Sequence, residues 1–190
     1  MIRSRLLVVH SGRYGQSEKI ARFLAADLEN WPGCECRCEG LAQLAEDQLE
    51  DCQGLVMVTS VHYGRVVAPS TGWALRHRQF LSAVPTALAV VSLSEGRRAG
   101  ARSRPSEPAL HGPTQTFLAK TGWRPDRIAL VEGALEYPKY SPINRRAIHC
   151  LERALGRPTD LNQSHEYTDW DQVARFGRDF AALADQSASR

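Results

Sequence analysis

Residues Leu6–Leu28 read LLVVHSGRYGQSEKIARFLAADL, and the change of character midway along this stretch decides the fold. Leu6 to Val9 is a short apolar run containing β-branched residues, the pattern of a strand covered on both faces. Ile20, Phe23, Leu24 and Leu28 then recur at i, i+3, i+4 and i+8, the spacing of a helix with one buried face. Between the two, Ser11-Gly12-Arg13-Tyr14-Gly15-Gln16-Ser17 turns the chain from strand to helix with hydroxyls, glycines and an amide.

The same alternation continues down the chain. Further apolar runs lie at Leu55 to Val58, Ala87 to Val91 and Ile128 to Val131, and Cys34 to Cys38 reads as a weaker fifth strand. Val173, Phe176, Phe180 and Leu183 repeat the helical spacing near the C-terminus, with Thr168 or Asp169 as N-cap and Asp171 adding negative charge to the first turn. Strands alternating with helices imply right-handed crossovers and a parallel sheet, so the class is α/β. One domain over residues 1–190 is expected, and two stretches exceed a minimal five-strand plan. Residues 94–115, rich in Gly, Pro and Arg, read as a long exposed loop, and residues 135–164 form an insert before the last helix. No internal repeat is evident.

Composition narrows the function classes. Apolar residues make up 43% and charged residues 24%, ordinary for a globular protein, and no segment approaches the roughly 20 apolar residues of a membrane span. The opening Met1-Ile2-Arg3-Ser4-Arg5 runs into an apolar stretch too short for a signal h-region, so a cytoplasmic location is expected. The net charge of +3 weighs against an electron carrier that docks through a strongly acidic surface. Arginine supplies 21 of the 24 basic residues. A group such as Arg97, Arg98, Arg102 and Arg104 reads either as a clamp for carboxylates or anionic lipid or as a solvated basic loop. Nucleic acid is not expected as a partner. Cys34, Cys36 and Cys38 alternate in CECRCE and share one face of a strand. No neighbouring His or Cys cluster completes a zinc set, so they are read as small apolar residues of a half-buried strand and no metal is expected.

A loop at the carboxyl end of the first strand of such a sheet is where open α/β proteins bind ligands. Gly15 is followed by Gln16 and Ser17 rather than Lys and a hydroxyl, so the Walker pattern is missing, and G-x-G-x-x-G is absent as well. What remains is a turn whose backbone N–H groups, with the Ser11 and Ser17 hydroxyls and the Gln16 amide, can surround a phosphate at a helix N-terminus. That suits the monoester phosphate of flavin mononucleotide (FMN) rather than FAD. Ser and Gly at such a turn also serve as ordinary capping residues. Ser60, Val61, His62, Tyr63 and Gly64 follow the third strand and would lie beside the first loop, where Tyr63 can stack on a flat heterocycle. Ser92, Leu93 and Ser94, after the fourth strand, flank the same crevice. A flavin carries its own redox chemistry, so no catalytic side chain is expected, and a lone His62 is more often a surface residue than a catalyst.

Several segments carry a family resemblance: SGRYGQS, SVHYGR, GWRPDRIALVEGALEYPKY and YTDWDQVARF, spread from residue 11 to residue 176. Trp123-Arg124-Pro125-Asp126, Gly133-Ala134-Leu135 with Tyr137-Pro138, and Tyr167-Thr168-Asp169-Trp170 are its more particular parts. Through them the chain resembles the flavodoxin-like, quinone-dependent protoporphyrinogen dehydrogenases of bacterial haem synthesis. The resemblance implies a doubly wound five-stranded sheet of order 2-1-3-4-5 with helices on both faces, and an insert at 135–164 that interrupts the fifth strand. It implies that Ser11, Arg13, Tyr14, Gly15, Gln16 and Ser17 surround the FMN phosphate and that residues 60–64 and 92–94 frame the isoalloxazine. The implied reaction oxidises protoporphyrinogen IX to protoporphyrin IX, with electrons passing to menaquinone or ubiquinone. Arg145 and Arg146 in the insert are candidate partners for the substrate propionates. Gly12 departs from the family, since such loops commonly carry a hydroxyl residue there. Ile143, Ala147, Ile148, Leu151, Ala154 and Leu155 alternate with arginines as an amphipathic helix, which either lies on the cytoplasmic face of the inner membrane or packs on the domain. Rival readings are a flavodoxin-type carrier, another FMN-dependent quinone reductase, or an interaction domain that has lost its flavin.

Overall fold

The computed structural model describes residues 4–92, 112–136 and 164–188. Strand β1 (Ser4–Ser11) leads into helix α1 (Gln16–Glu29), then β2 (Cys34–Gly40), a short α2 (Asp47–Glu50) and β3 (Gly54–His62). A two-residue β4 (Arg65–Val66), helices α3 (Ala68–Arg76) and α4 (Arg78–Ala83), and β5 (Thr86–Val91) follow. Helix α5 (Pro113–Thr121), β6 (Arg127–Val131), the short strands β7 (Ala134–Glu136) and β8 (Ser164–Glu166), and helix α6 (Trp170–Ala188) complete the described chain.

The five long strands are all parallel, in the order β2-β1-β3-β5-β6, while β4 folds back on the end of β3. Leaving β4 out, this is the 2-1-3-4-5 order of a flavodoxin-like sheet. Side-chain alternation divides the core into two layers. Leu6, Val8, Val56, Val58, Ala87 and Ala89 meet Ile20, Leu24 and Leu28 of α1 and Val173, Phe176 and Phe180 of α6. On the other face Leu7, Val9, Leu55, Met57, Leu88 and Val90 meet Trp73, Leu81 and Phe117 of α3, α4 and α5. Both faces are covered, which is why these strands read as unbroken apolar runs rather than alternating ones.

Cys34 lies in the α1/α6 layer, and Cys36 and Cys38 pack against it from the same face of β2. Burial pushes the Cys36 thiol up to about 12, with nearby Glu29 adding to the shift. A thiol held protonated in this way packs as a small apolar residue, in line with the apolar reading of the CECRCE strand.

The two possible caps of the last helix separate cleanly. Asp169 Oδ1 accepts the Gln172 backbone N–H at 2.9 Å and caps α6, whereas Thr168 turns away to other partners. Residues 113–115, expected as loop, open helix α5 instead, with proline in the first turn, where its missing N–H costs nothing. Residues 94–111 of that expected loop lie outside the described residues, as do the arginines 97–104 and the amphipathic pattern at 143–157. The ends of the insert are short strands β7 and β8, which pair antiparallel with each other beyond the end of β6.

Candidate functional site at the carboxyl edge of the sheet

The turn between β1 and α1 is shaped by Gly15. Its φ of 96° is left-handed, and as N-cap it offers no side chain, so no side-chain hydrogen bond caps the helix. The first intrahelical bond is Lys19 N–H to the Gly15 carbonyl at 2.9 Å. The N–H groups of Gln16, Ser17 and Glu18 precede it, and together with the helix dipole they make a positive end at the carboxyl edge of the sheet.

Beneath the turn, the Ser17 and Ser60 hydroxyls are buried and, among the described residues, have no hydrogen-bond partner. Gly12 lies over both, and a Cβ there would sit 2.7 Å from Ser17 Oγ and 3.4 Å from Ser60 Oγ. A side chain at position 12 would therefore have to displace that of Ser17. A buried hydroxyl without a partner costs about 1–3 kcal/mol, and two of them at one turn mark a place where the fold keeps donors in reserve.

The second wall is the β3–β4 hairpin, where Val61 pairs with Val66 and His62 with Arg65. Its two turn residues, Tyr63 and Gly64, have φ of 49° and 70°. Positive φ at both central positions is the geometry in which Asn-Gly is favoured, so a bulky tyrosine there is under backbone strain. Tyr63 is also 76% exposed. The hairpin meets the first turn through an edge contact of the Tyr14 and His62 rings, 5.2 Å between centroids. Burial, and then the positive charge of Arg13, lower the pKa of His62 from 6.5, so the ring is neutral at pH 7 and holds the wall in place without a charge.

The structure brings Gly12, Arg13, Tyr14, Gly15, Ser17, Ser60 and His62 to one place, with Ser11 at the last position of β1 beside them. Ser92 is buried just beyond β5 and donates its N–H to the Val131 carbonyl. Val61 contributes its side chain to the core on the α3/α5 side instead. Leu93, Ser94, Arg145 and Arg146 lie outside the described residues. One expectation is corrected: the Gln16 amide does not face the turn, because its Nε2 donates to Glu166 Oε1 at 3.1 Å and Thr168 Oγ1 at 2.8 Å. Gln16 therefore offers an anion its backbone N–H only.

Of the residues that receive it, Thr168 stood in the sequence only as a candidate helix cap and part of a family motif, and Glu166 had no signal. Glu166 also accepts Lys19 Nζ at 2.6 Å, and Lys19 sits over the Trp170 ring at 5.1 Å. Thr168 Oγ1 donates on to the Glu132 carbonyl at 2.8 Å. Burial raises the Glu166 pKa, but hydrogen bonds from Lys19 and Gln16 and the Lys19 charge outweigh it and leave the carboxyl below its ordinary value. The helix that forms the positive end is thus fastened to β8, almost the full length of the chain away.

Residues 7–162 match the model of a flavodoxin domain. A protein of Escherichia coli strain K12 called protoporphyrinogen IX dehydrogenase [quinone] is 32% identical over 182 residues, covering 96% of this chain and 97% of the relative. One of the same name from Leishmania major is 29% identical over 180 residues, 94% of this chain and 75% of the relative. Among solved structures, a flavodoxin from the domain Archaea superposes with a TM-score of 0.54 at 12% identity, over 95% of this chain and 99% of that one, a likeness of fold. A doubly wound sheet with a helix N-terminus and two reserved hydroxyls at its carboxyl edge, matched over nearly its full length by these relatives, places the chain in the flavodoxin-domain family, among the oxidoreductases named protoporphyrinogen IX dehydrogenase [quinone].

Proposed function

We propose that this protein binds FMN and oxidises protoporphyrinogen IX to protoporphyrin IX, passing the electrons to menaquinone or ubiquinone. The observation that carries the flavin reading is the pair of buried, unpartnered hydroxyls, Ser17 Oγ and Ser60 Oγ, under a helix N-terminus that has no side-chain cap. These residues fit a terminal phosphate: backbone N–H groups of Arg13 to Ser17 and two hydroxyls are neutral donors, and the helix dipole favours an anion. The ring would lie against residues 60–64 and 92–94. FMN supplies the hydride and electron chemistry when bound.

The chain's own part is to bind, orient and exclude. Tyr14 and His62 lock the two walls together, and a neutral His62 adds no charge against the ring. The substrate and acceptor in this proposal come from the names of the relatives, and 32% identity across nearly both whole chains supports the transfer. Among the described residues no helix is long and apolar enough to cross a membrane. With a lipid-soluble quinone as acceptor, this reading has a cytoplasmic protein meet the membrane at its surface, with residues 135–164 as the proposed contact. The test is the spectrum of the purified protein, the identity of the flavin released by heat, and bleaching by protoporphyrinogen without oxygen followed by recovery on adding a quinone. FMN, bleaching and recovery are expected. Recovery of FAD, or a flavin that protoporphyrinogen leaves oxidised, would overturn the proposal.

A further inference from the structure

We infer that Arg13 and Arg65 form a carboxylate-recognition rim at the mouth of this site and take the two acidic arms of a tetrapyrrole whose ring lies toward Tyr63. The inference rests on reading the carboxyl edge as the oxidation site and names the residues that orient the substrate there.

Two contacts place Arg13 and Arg65 on the two walls of one site. Arg65 stands opposite His62 in the β3–β4 register, and cross-strand partners project from the same face. The His62 ring touches Tyr14, the residue after Arg13, and the Arg13 charge is near enough to act on His62. Both arginines are exposed, and among the described residues neither has an ion-pair partner. By contrast Arg5, Arg22 and Arg37 each hold a carboxylate at 2.7, 2.9 and 3.4 Å. Two positions before Arg65 in the hairpin turn is Tyr63, an exposed aromatic residue held in a strained backbone conformation.

Chemistry then selects the ligand class. A porphyrinogen is an uncharged macrocycle of near-fourfold outline except for two neighbouring propionates, so its orientation is encoded mainly by those carboxylates. Guanidinium presents a planar fork that matches a carboxylate with two parallel hydrogen bonds, and an aromatic surface beside it suits the apolar ring. Two cations bordering one site favour a ligand that carries two negative charges. Arg13 can serve both partners, because the phosphate proposal uses its backbone N–H and leaves the guanidinium available.

The experiment uses the FMN-reconstituted protein and compares binding of protoporphyrin IX with binding of its dimethyl ester by quenching of porphyrin fluorescence, with flavin content measured for every variant. The diacid should bind at least about tenfold more tightly than the diester, the size of one well-formed charge-assisted contact. Arg65→Gln should bring the ratio close to one with flavin content unchanged. Arg65→Lys should keep part of it, since a point charge replaces the fork, and Arg13→Gln should lower it while keeping the backbone N–H. Equal binding of diacid and diester by the parent would overturn the rim, as would a ratio that survives both Gln variants. Loss of the ratio only in Arg145→Gln/Arg146→Gln would also overturn it and assign recognition to the insert. The readout is independent of turnover. A rim that passes this test in a protein that does not oxidise protoporphyrinogen would overturn the proposed reaction alone, and turnover with an unaltered ratio would overturn the rim alone.

Discussion

The amino ends of β5 and β6 and the carboxyl ends of β1 and β3 use similar residues and finish them differently. At the amino ends, the Thr86 N–H donates to Asp126 Oδ2 and the Asp126 N–H returns to the Thr86 carbonyl, both at 2.8 Å. The Thr86 hydroxyl accepts Trp123 Nε1 at 3.1 Å, and the Trp123 ring is buried against Phe117. Trp123-Arg124-Pro125-Asp126, one of the most particular motifs in the sequence, is therefore a structural clasp. At the carboxyl ends two serine hydroxyls are buried without partners among the described residues, and a tyrosine is held at positive φ. Satisfied polar groups make the first end rigid; unsatisfied ones make the second receptive, at a cost in stability that a ligand can offset.

The largest expected effect breaks the receptive end. Ser17→Asp sets a carboxylate beside the phosphate, and FMN affinity should fall at least about 100-fold, or about 2.8 kcal/mol, in a fluorescence titration. Ser187→Asp, on the exposed end of α6, should leave it unchanged. Equal affinity in Ser17→Asp and the parent would show that this turn does not hold the phosphate.

The clasp should respond in the opposite way. Asp126→Ala strands the buried Thr86 N–H and should lower the unfolding free energy by about 1–3 kcal/mol in urea, with FMN affinity within about twofold of the parent. A large loss of flavin would mean that the two ends are coupled and the contrast fails.

Tyr63→Asn sharpens the contrast by separating stability from binding at one position. Asn accepts positive φ readily, so the flavin-free protein should gain about 1 kcal/mol in denaturant unfolding, while FMN binds more weakly for want of the ring. A variant less stable than the parent would show that Tyr63 is not strained.

The smallest effect is in pH. Burial is the leading cause that lowers the pKa values of both His10 and His62 from 6.5. The folded state therefore resists protonation: the stability they contribute is fully present above about pH 6.5 and is lost as pH falls through their lower folded values. Glu166, also below its ordinary 4.5, adds a separate loss at more acid pH. In urea melts at stepped pH, His10→Gln/His62→Gln should remove the first loss and leave the second. An unaltered first step would assign it to other groups.

The parallel sheet was legible because it depends on local pattern, and its strand order was legible through the family resemblance. Leu6 to Val9 and Ile20 to Leu28 encode strand and helix within a few residues, and Ser-Gly turns at strand ends follow from backbone geometry. Cap choice was half legible: Thr168 and Asp169 are both able caps, and Thr168 is taken by Gln16 and the Glu132 carbonyl only in the folded chain. Gln16 was misread for the same reason, because its partners are 150 and 152 positions away. Periodicity in this chain thus determined by itself an α/β fold with a parallel sheet and a turn of hydroxyls and glycines after its first strand, and the family resemblance supplied the doubly wound order. Which side chains face that turn, which hydroxyls stay unpaired beneath it and which arginines border it were decided only by tertiary packing, because hydrogen bonds between distant segments leave no periodic trace in the residues that make them.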